Sequence, residues 1–308
     1  MENIIEVRKL TKYYGKTLAV NNIDFKVKEG EIFGFLGPNG AGKTTTINML
    51  CTIIGKSSGE LYVDGDDVFK KQDEVRKKIG IVFQERTLDE KLTAGENLYI
   101  HGRLYHIPKQ DIRKRIDEVL EVVELSDRKR SLVSSFSGGM KRRLEIARGL
   151  MHYPKVLFLD EPTTGLDPQT RSHVWDYLLK LRKRHNMTIF LTTHYMDEAE
   201  ICDRVAIIDH GEIVAYGTPV ELKSKLATKI VRFKAGGRED AVEIIDKLFG
   251  YKVHKLNRNM LEVEVEGKPT DFVVKFTKKY EGKISHLDIV RPTLNDVFMN
   301  ITGRDIRE

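Results

Sequence analysis

The chain has 308 residues, 40% hydrophobic and 32% charged, enough apolar material for about two domains of ordinary size. Its formal net charge of +6 rests on Lys and Arg spread along the chain rather than in blocks, so the charge alone demands neither a nucleic acid nor an anionic membrane. Two distant cysteines, Cys51 and Cys202, imply reducing cytosol and no disulfide framework or zinc site; the charged first 20 residues argue against a secretory leader, and no apolar run nears the ~18 residues of a membrane span.

Apolar runs at 4–7, 23–27 and 31–36 read as strands. The third leads into Gly37-Pro38-Asn39-Gly40-Ala41-Gly42-Lys43-Thr44-Thr45, which fits G-x-x-x-x-G-K-[ST] at every fixed position and opens a helix at Thr45. Glycines let successive backbone N–H groups curl around an anion, and the helix N-terminus adds its positive dipole end. The loop therefore predicts a bound nucleoside triphosphate, with Lys43 reaching the β- and γ-phosphates and the Thr44 hydroxyl ligating Mg²⁺. Kinases, GTPases and recombinase-like motors all share that much.

Runs at 59–63 and 79–84 read as further strands. From Gly95 to Leu125 the pattern turns helical, with Ile112, Ile116, Val119, Leu120 and Val123 at spacings of three and four. A helix is expected from Gly138 to His152, capped by Ser137 and stopped before Pro154. The continuous apolar run Val156-Leu157-Phe158-Leu159 reads as a buried strand that ends in Asp160-Glu161. An aspartate delivered beside the phosphate loop can hold Mg²⁺, and the next carboxylate can polarise an attacking water as general base. Asp167-Pro168 starts another helix, with aspartate at its N-cap and proline at its first position. Runs 188–192, 204–209 and 212–215 are strands, the last two joined at His210-Gly211. The fold class is α/β, a nucleotide-binding core with a helical insert. Lys141-Arg142-Arg143 reads as a solvated helix face, and Trp175, Leu178, Leu179 and Arg182 as helix packing.

Beyond about Lys225 the pattern changes to β-α-β-β-α-β with a short helix around 293–300, the ferredoxin-like α+β arrangement. It carries no phosphate loop and no clustered catalytic residues. A regulatory or dimerising domain and a structural appendage both fit.

Between loop and acid pair lies Phe136-Ser137-Gly138-Gly139-Met140, whose hydroxyl and bare N–H groups at a helix N-terminus form a second anion site. On this stretch the chain resembles the ATP-binding subunit of ABC transporters, whose signature is usually Leu-Ser-Gly-Gly-Gln; phenylalanine and methionine replace the outer residues here. The resemblance covers roughly residues 4 to 222 and implies a P-loop NTPase fold with a helical subdomain at about 86–150. It implies ATP and Mg²⁺ as cofactors, and a dimer in which Ser137, Gly138 and Gly139 of one copy close over the ATP of the other. Gln84 matches the glutamine that senses Mg²⁺ and contacts the membrane subunit, and His194 the histidine that contacts the γ-phosphate. Asp167, in Thr164-Gly165-Leu166-Asp167, matches the loop that crosses the dimer interface. Tyr14 matches the aromatic that stacks on adenine, with Tyr13 as the alternative.

FSGGMKRRLEIARGL, the extension from Lys225 to Glu308, and its ending RPTLNDVFMNITGR resemble the drug- and lipid-exporter branch, typified by daunorubicin-resistance ATPase subunits. That resemblance implies an ATPase domain at 1–224 and a C-terminal domain at 225–308. It implies a motor on the cytoplasmic face of the membrane, as a homodimer or with a paralogous ATPase, under a separate permease that docks near Gln84. The rival is a soluble ABC-type ATPase acting on nucleic acid or the ribosome. Such proteins usually carry two cassettes or a long coiled coil, and this sequence shows one cassette and no heptad array. No nucleic-acid partner is expected.

Overall fold

The apolar runs assemble into three sheets. The computed structural model describes residues 2–85, 87–226, 228–256, 260–290 and 292–303, and the chain divides between Pro219 and Val220 into two compact units. In the first unit, β1 (Asn3–Tyr14), β2 (Thr17–Lys28), β3 (Ile32–Leu36), α1 (Lys43–Leu50), β4 (Ser58–Val63), β5 (Asp66–Asp67), α2 (Gln72–Lys78) and β6 (Ile79–Val82) come first. They are followed by α3 (Ala94–Leu104), α4 (Lys109–Val122), α5 (Gly138–Gly149), β7 (Val156–Asp160), α6 (Pro168–His185), β8 (Thr188–Thr193), α7 (Met196–Ile201), β9 (Arg204–Asp209) and β10 (Glu212–Gly217).

The central sheet has the order β10-β9-β3-β8-β7-β6, with β10 antiparallel at one edge and the other neighbours parallel. Every residue of β3, β7 and β8 is buried. Strands covered on both faces need no polar alternation, which is why β3 and the first four residues of β7 read as apolar runs. The register sets Leu36 beside Thr193 and Asp160 beside Thr192, so the carboxyl ends of β3, β8 and β7 lie side by side. A second, antiparallel sheet, β2-β1-β4-β5, shares a core with the first. Phe25 of β2 lies with its ring centroid 5.6 Å from Phe33, 5.5 Å from Phe35 and 6.0 Å from Phe190.

Several boundaries differ from the sequence reading. The helical stretch from Gly95 is two helices, because Pro108 has no N–H and takes an extended conformation before α4. Strand β6 stops at Val82, leaving Gln84 in an exposed bend rather than at a strand end. Helix α5 ends at Gly149, short of His152. The strands β1 and β2 run 12 residues each, well past their apolar centres, because hairpin pairing through Tyr14 and Thr17 carries their polar ends.

Helix α8 (Pro219–Ser224) spans the division. The second unit holds β11 (Thr228–Ala235), α9 (Arg238–Phe249), β12 (Val253–Lys255), β13 (Met260–Glu266), α10 (Pro269–Lys279), β14 (Ile284–Val290) and α11 (Leu294–Thr302). Its sheet order is β12-β13-β11-β14, antiparallel throughout, with β13 between β11 and β12 as in a split β-α-β. Val231, Phe233, Leu261 and Val263 from the sheet close on Ala241, Ile245, Phe272 and Phe276 from the helices. Arg291 and 304–308, which carry part of the tail motif, lie outside the described residues.

Candidate nucleotide site

Strand β3 hands the chain to the phosphate loop, which ends at Gly42 as the N-cap of α1 with φ +104°. A side chain at Gly42 would meet the Ala19 carbonyl at 2.6 Å, and one at Gly37 would run into the Ile208 carbonyl, so the loop's close packing demands glycine at both places. No side chain caps α1 and no acidic residue stands in its first turn, so the helix keeps its positive end for a bound anion. Lys43 is 4% exposed. Its ammonium donates to the carbonyls of Gly37 (2.8 Å) and Pro38 (3.0 Å) and lies 3.3 Å from Glu161 Oε1. Burial lowers its pKa, against the pull of Glu161 and Asp160.

The acid pair arrives on β7. Asp160 Oδ1 accepts from the Thr192 hydroxyl at 2.5 Å and from the Thr44 hydroxyl at 3.3 Å. Burial raises the Asp160 pKa, opposed by those two donors. Glu161 adopts φ +45°, a left-handed conformation uncommon outside glycine, and its N–H donates to Thr192 O (3.2 Å) and Oγ1 (3.0 Å). Its carboxylate meets Lys43 on one oxygen. On the other it accepts from Thr164 Oγ1 at 3.1 Å and lies 3.3 Å from His194 Nδ1, a buried nitrogen outside hydrogen-bond alignment. Burial opposes ionisation of Glu161, but Lys43 and His194 outweigh it and hold the pKa below the usual range. At neutral pH this carboxylate is ionised and can accept a proton.

Lys43, Thr44, Asp160, Glu161 and His194 thus form one connected cluster. The Thr44 and Asp160 oxygens fit a hard cation that binds through one or two protein ligands and fills the rest with water and phosphate, which is the habit of Mg²⁺. Thr45 continues the first turn of α1. The other residues named from sequence stand outside the bonded cluster. Gln84 is exposed, and Tyr14 and Tyr13 are exposed by 49% and 46%, with Lys12 Nζ 5.0 Å from the Tyr14 ring centroid. Ser137 is exposed and caps α5 by accepting from Met140 N at 3.3 Å, with Gly138 and Gly139 in the first turn. Asp167 is exposed and caps α6, accepting from Thr170 N at 2.9 Å. Thr170 packs where a side chain on Gly139 would be, so α6 meets the first turn of α5.

Sequence reading missed residues that hold this site together. Arg142 is not on a solvated face: it is 7% exposed, and its partner Glu145 is 1% exposed. The guanidinium donates to Phe83 O (2.6 Å), Pro162 O (2.6 Å), Asp160 O (3.2 Å), Glu161 O (3.4 Å) and Glu145 Oε2 (3.0 Å). Glu198, fully buried, accepts from the hydroxyls of Thr163 and Thr193 and from Trp175 Nε1, so Trp175 does more than pack. The i, i+3 spacing of Arg142 and Glu145 was a visible signal, but an exposed pair has the same spacing.

The ABC transporter family profile matches residues 20–164, and that of the ATP-binding protein DrrA1-3-like C-terminal domain matches 217–302. Linearmycin resistance ATP-binding protein LnrL of Bacillus subtilis is 38% identical over 99% of this chain and 100% of its own. The chain belongs to the ABC transporter ATP-binding family. Two further relatives of this ABC ATPase are daunorubicin resistance ATP-binding protein DrrA3 of Streptomyces coeruleorubidus, 39% identical over 99% of this chain and 98% of the relative, and Nod factor export ATP-binding protein I of Cupriavidus metallidurans, 36% identical over 100% of both. Among solved structures, CbiO1 of Clostridium perfringens, part of the ABC transporter complex CbiONQ, aligns with TM-score 0.68 and 28% identity over 81% of this chain and 97% of its own. The cassette MJ0796, solved as a dimer in a post-hydrolysis state with ADP and Pi, aligns with TM-score 0.63 and 30% identity over 70% of this chain and 98% of its own. The chain is an ATP-binding, ATP-hydrolysing ABC ATPase.

Proposed function

We propose that this ABC ATPase is the motor of an exporter of drugs, lipids or similar amphipathic compounds, working as a pair of chains closed over two ATP molecules beneath a separate membrane permease. The observation that carries the reading is the full-length likeness, C-terminal extension included, to proteins named for linearmycin resistance, daunorubicin resistance and Nod factor export. No helix among the described residues is long and apolar enough to cross a membrane, and the proposal gives the crossing to the permease. The motor then works on the cytoplasmic face. The partner copy is an identical chain or a paralogue, and residues 225–308 serve regulation or dimerisation.

In this reading the N–H groups from Gly37 to Thr45 and the Lys43 ammonium hold the phosphates, and Tyr14, or Tyr13, stacks on adenine for about 1–3 kcal/mol. Thr44 and Asp160 would hold Mg²⁺, which when bound offsets the charge of the phosphate oxygens. Glu161, ionised and braced between Lys43 and His194, takes the proton of the attacking water. His194 reaches the γ-phosphate, and Lys43 stabilises charge in the transition state. The exposed Ser137 hydroxyl, with Gly138 and Gly139, closes over the nucleotide of the other copy, and Asp167 lies at that interface. Gln84, exposed beyond β6, links metal and permease.

The test is affinity purification of tagged Glu161→Gln protein with ATP from detergent-solubilised native membranes, partners identified by mass spectrometry. A co-purifying multi-span protein is the expected result. Recovery of ribosomes, nucleic acid or soluble proteins alone would replace the exporter reading with that of a soluble ABC-type ATPase.

A further inference from the structure

We propose that Arg142 and Glu145 are positioning residues for hydrolysis, a clamp through which the signature helix α5 holds Glu161 in its reactive conformation and fixes the segment around Gln84 to it. The proposal rests on the reading of Glu161 as general base. A guanidinium has five N–H donors in a planar fork. All those of Arg142 are used, four on backbone carbonyls from two strand ends distant in sequence, at Phe83 beyond β6 and at Asp160, Glu161 and Pro162 on and beyond β7, and the fifth on Glu145.

Glu145 continues the grip. Its Oε2 accepts from Arg142, while Oε1 accepts from Thr87 N at 3.0 Å. One turn further along α5, Arg148 donates to Thr87 O at 2.9 Å and to the Thr87 hydroxyl. Residues 142, 145 and 148 therefore share one helix face and hold the Gln84 segment at Phe83 and at Thr87.

The cost of this arrangement argues for a role beyond stability. A buried ion pair is at best a weak stabiliser compared with apolar packing. The bonds converge on Glu161, whose φ of +45° is a strained conformation for glutamate and persists only where its surroundings over-determine it. Its N–H is fixed by Thr192 and its carbonyl by Arg142 and Thr164 N (3.3 Å). That backbone conformation aims the carboxylate between Lys43 and His194. Since Ser137 caps the same helix, a shift at the signature end reaches Glu161 and the Gln84 segment through the clamp.

Lysine keeps the charge beside Glu145 but cannot span four carbonyls at once. The experiment compares full-length wild type, Arg142→Lys, Arg142→Met and Glu161→Gln by steady-state ATP turnover, ATP titration of the monomer and thermal melting. Arg142→Lys is expected to lower kcat roughly tenfold to a hundredfold with KM and monomer affinity within about twofold of wild type. Arg142→Met should fall further, so that lysine gives partial rescue. Leu144→Ala, a buried change on the same helix that removes no hydrogen bond, serves as a control for lost stability. If it melts as low as Arg142→Lys yet keeps its kcat, loss of folded protein is not the cause; an equal fall in kcat would make the clamp merely structural and overturn the proposal. Wild-type kcat in Arg142→Lys beside an inactive Glu161→Gln overturns the clamp alone. Normal turnover by Glu161→Gln removes the base reading, and the clamp falls with it.

Discussion

Adjacent carboxylates sit in different surroundings. Asp160 is buried beneath two hydroxyl donors, and Glu161, turned through a left-handed residue, faces an ammonium and an imidazole. Burial pushes the first pKa up, and neighbouring positive charge holds the second down. In the proposed function the first holds the metal and the second takes the proton of the attacking water. Glu161→Gln is therefore expected to bind ATP as wild type does while turnover drops about 10²- to 10⁴-fold, read by phosphate release and by titration. Near-normal phosphate release would deny Glu161 the role of base. Lys43→Ala removes a buried charge that donates to two loop carbonyls and stands beside Glu161. Its ATP affinity should weaken about 10- to 100-fold in a direct titration, the value of one or two charge-assisted bonds. An unchanged Kd would contradict the phosphate-loop assignment.

At the scale of elements, the chain at the end of α3 meets the chain just beyond α5 through rings: Tyr105 stacks on His152 at 3.8 Å between centroids, and His101 lies tilted against Tyr105 at 4.9 Å. Burial, with help from Arg148 and His152, lowers the His101 pKa from 6.5 to about 4. Above pH 6.5 this histidine is neutral in folded and unfolded chains alike. As pH falls from there toward about 4 the unfolded chain takes up the proton and the folded chain does not, so stability drops. The loss from this one group is at most roughly 3 kcal/mol, and less for its partial exposure. His101→Phe should flatten the difference in melting temperature between pH 7.5 and pH 5 relative to wild type; the same slope in both proteins would refute the linkage. Sequence made some of these elements plain and hid others, for physical reasons. The buried parallel strands β3 and β7 announced themselves as apolar runs, and Ser137 and Asp167 were legible as caps because capping is local. Arg142 and Glu145 looked like surface charge, since the carbonyls that satisfy them belong to residues 83 and 160–162, which no local pattern brings near. Helix α2 escaped because Val75 is its one buried residue, too little to make a period.

At the scale of the molecule, the first unit gathers Lys43, Thr44, Asp160, Glu161 and His194 on neighbouring strand ends, while Ser137 stays exposed at the head of α5. In the proposed function that exposure leaves the signature's hydroxyl and N–H groups open to the nucleotide of a second copy. The C-terminal unit was legible as βαββαβ chiefly where burial alternates, as in Met260–Glu266 with every second residue buried up to Val265. What it binds was not legible, since a fold carries no function by itself. The site proposed between two copies is tested by the mass of the Glu161→Gln chain in solution, by size exclusion with light scattering, with and without ATP and with Ser137→Arg added. Glu161→Gln is expected to form an ATP-dependent dimer, and the double variant to stay a monomer that still binds ATP with unchanged affinity. An ATP-dependent dimer from the double variant would contradict the proposed site.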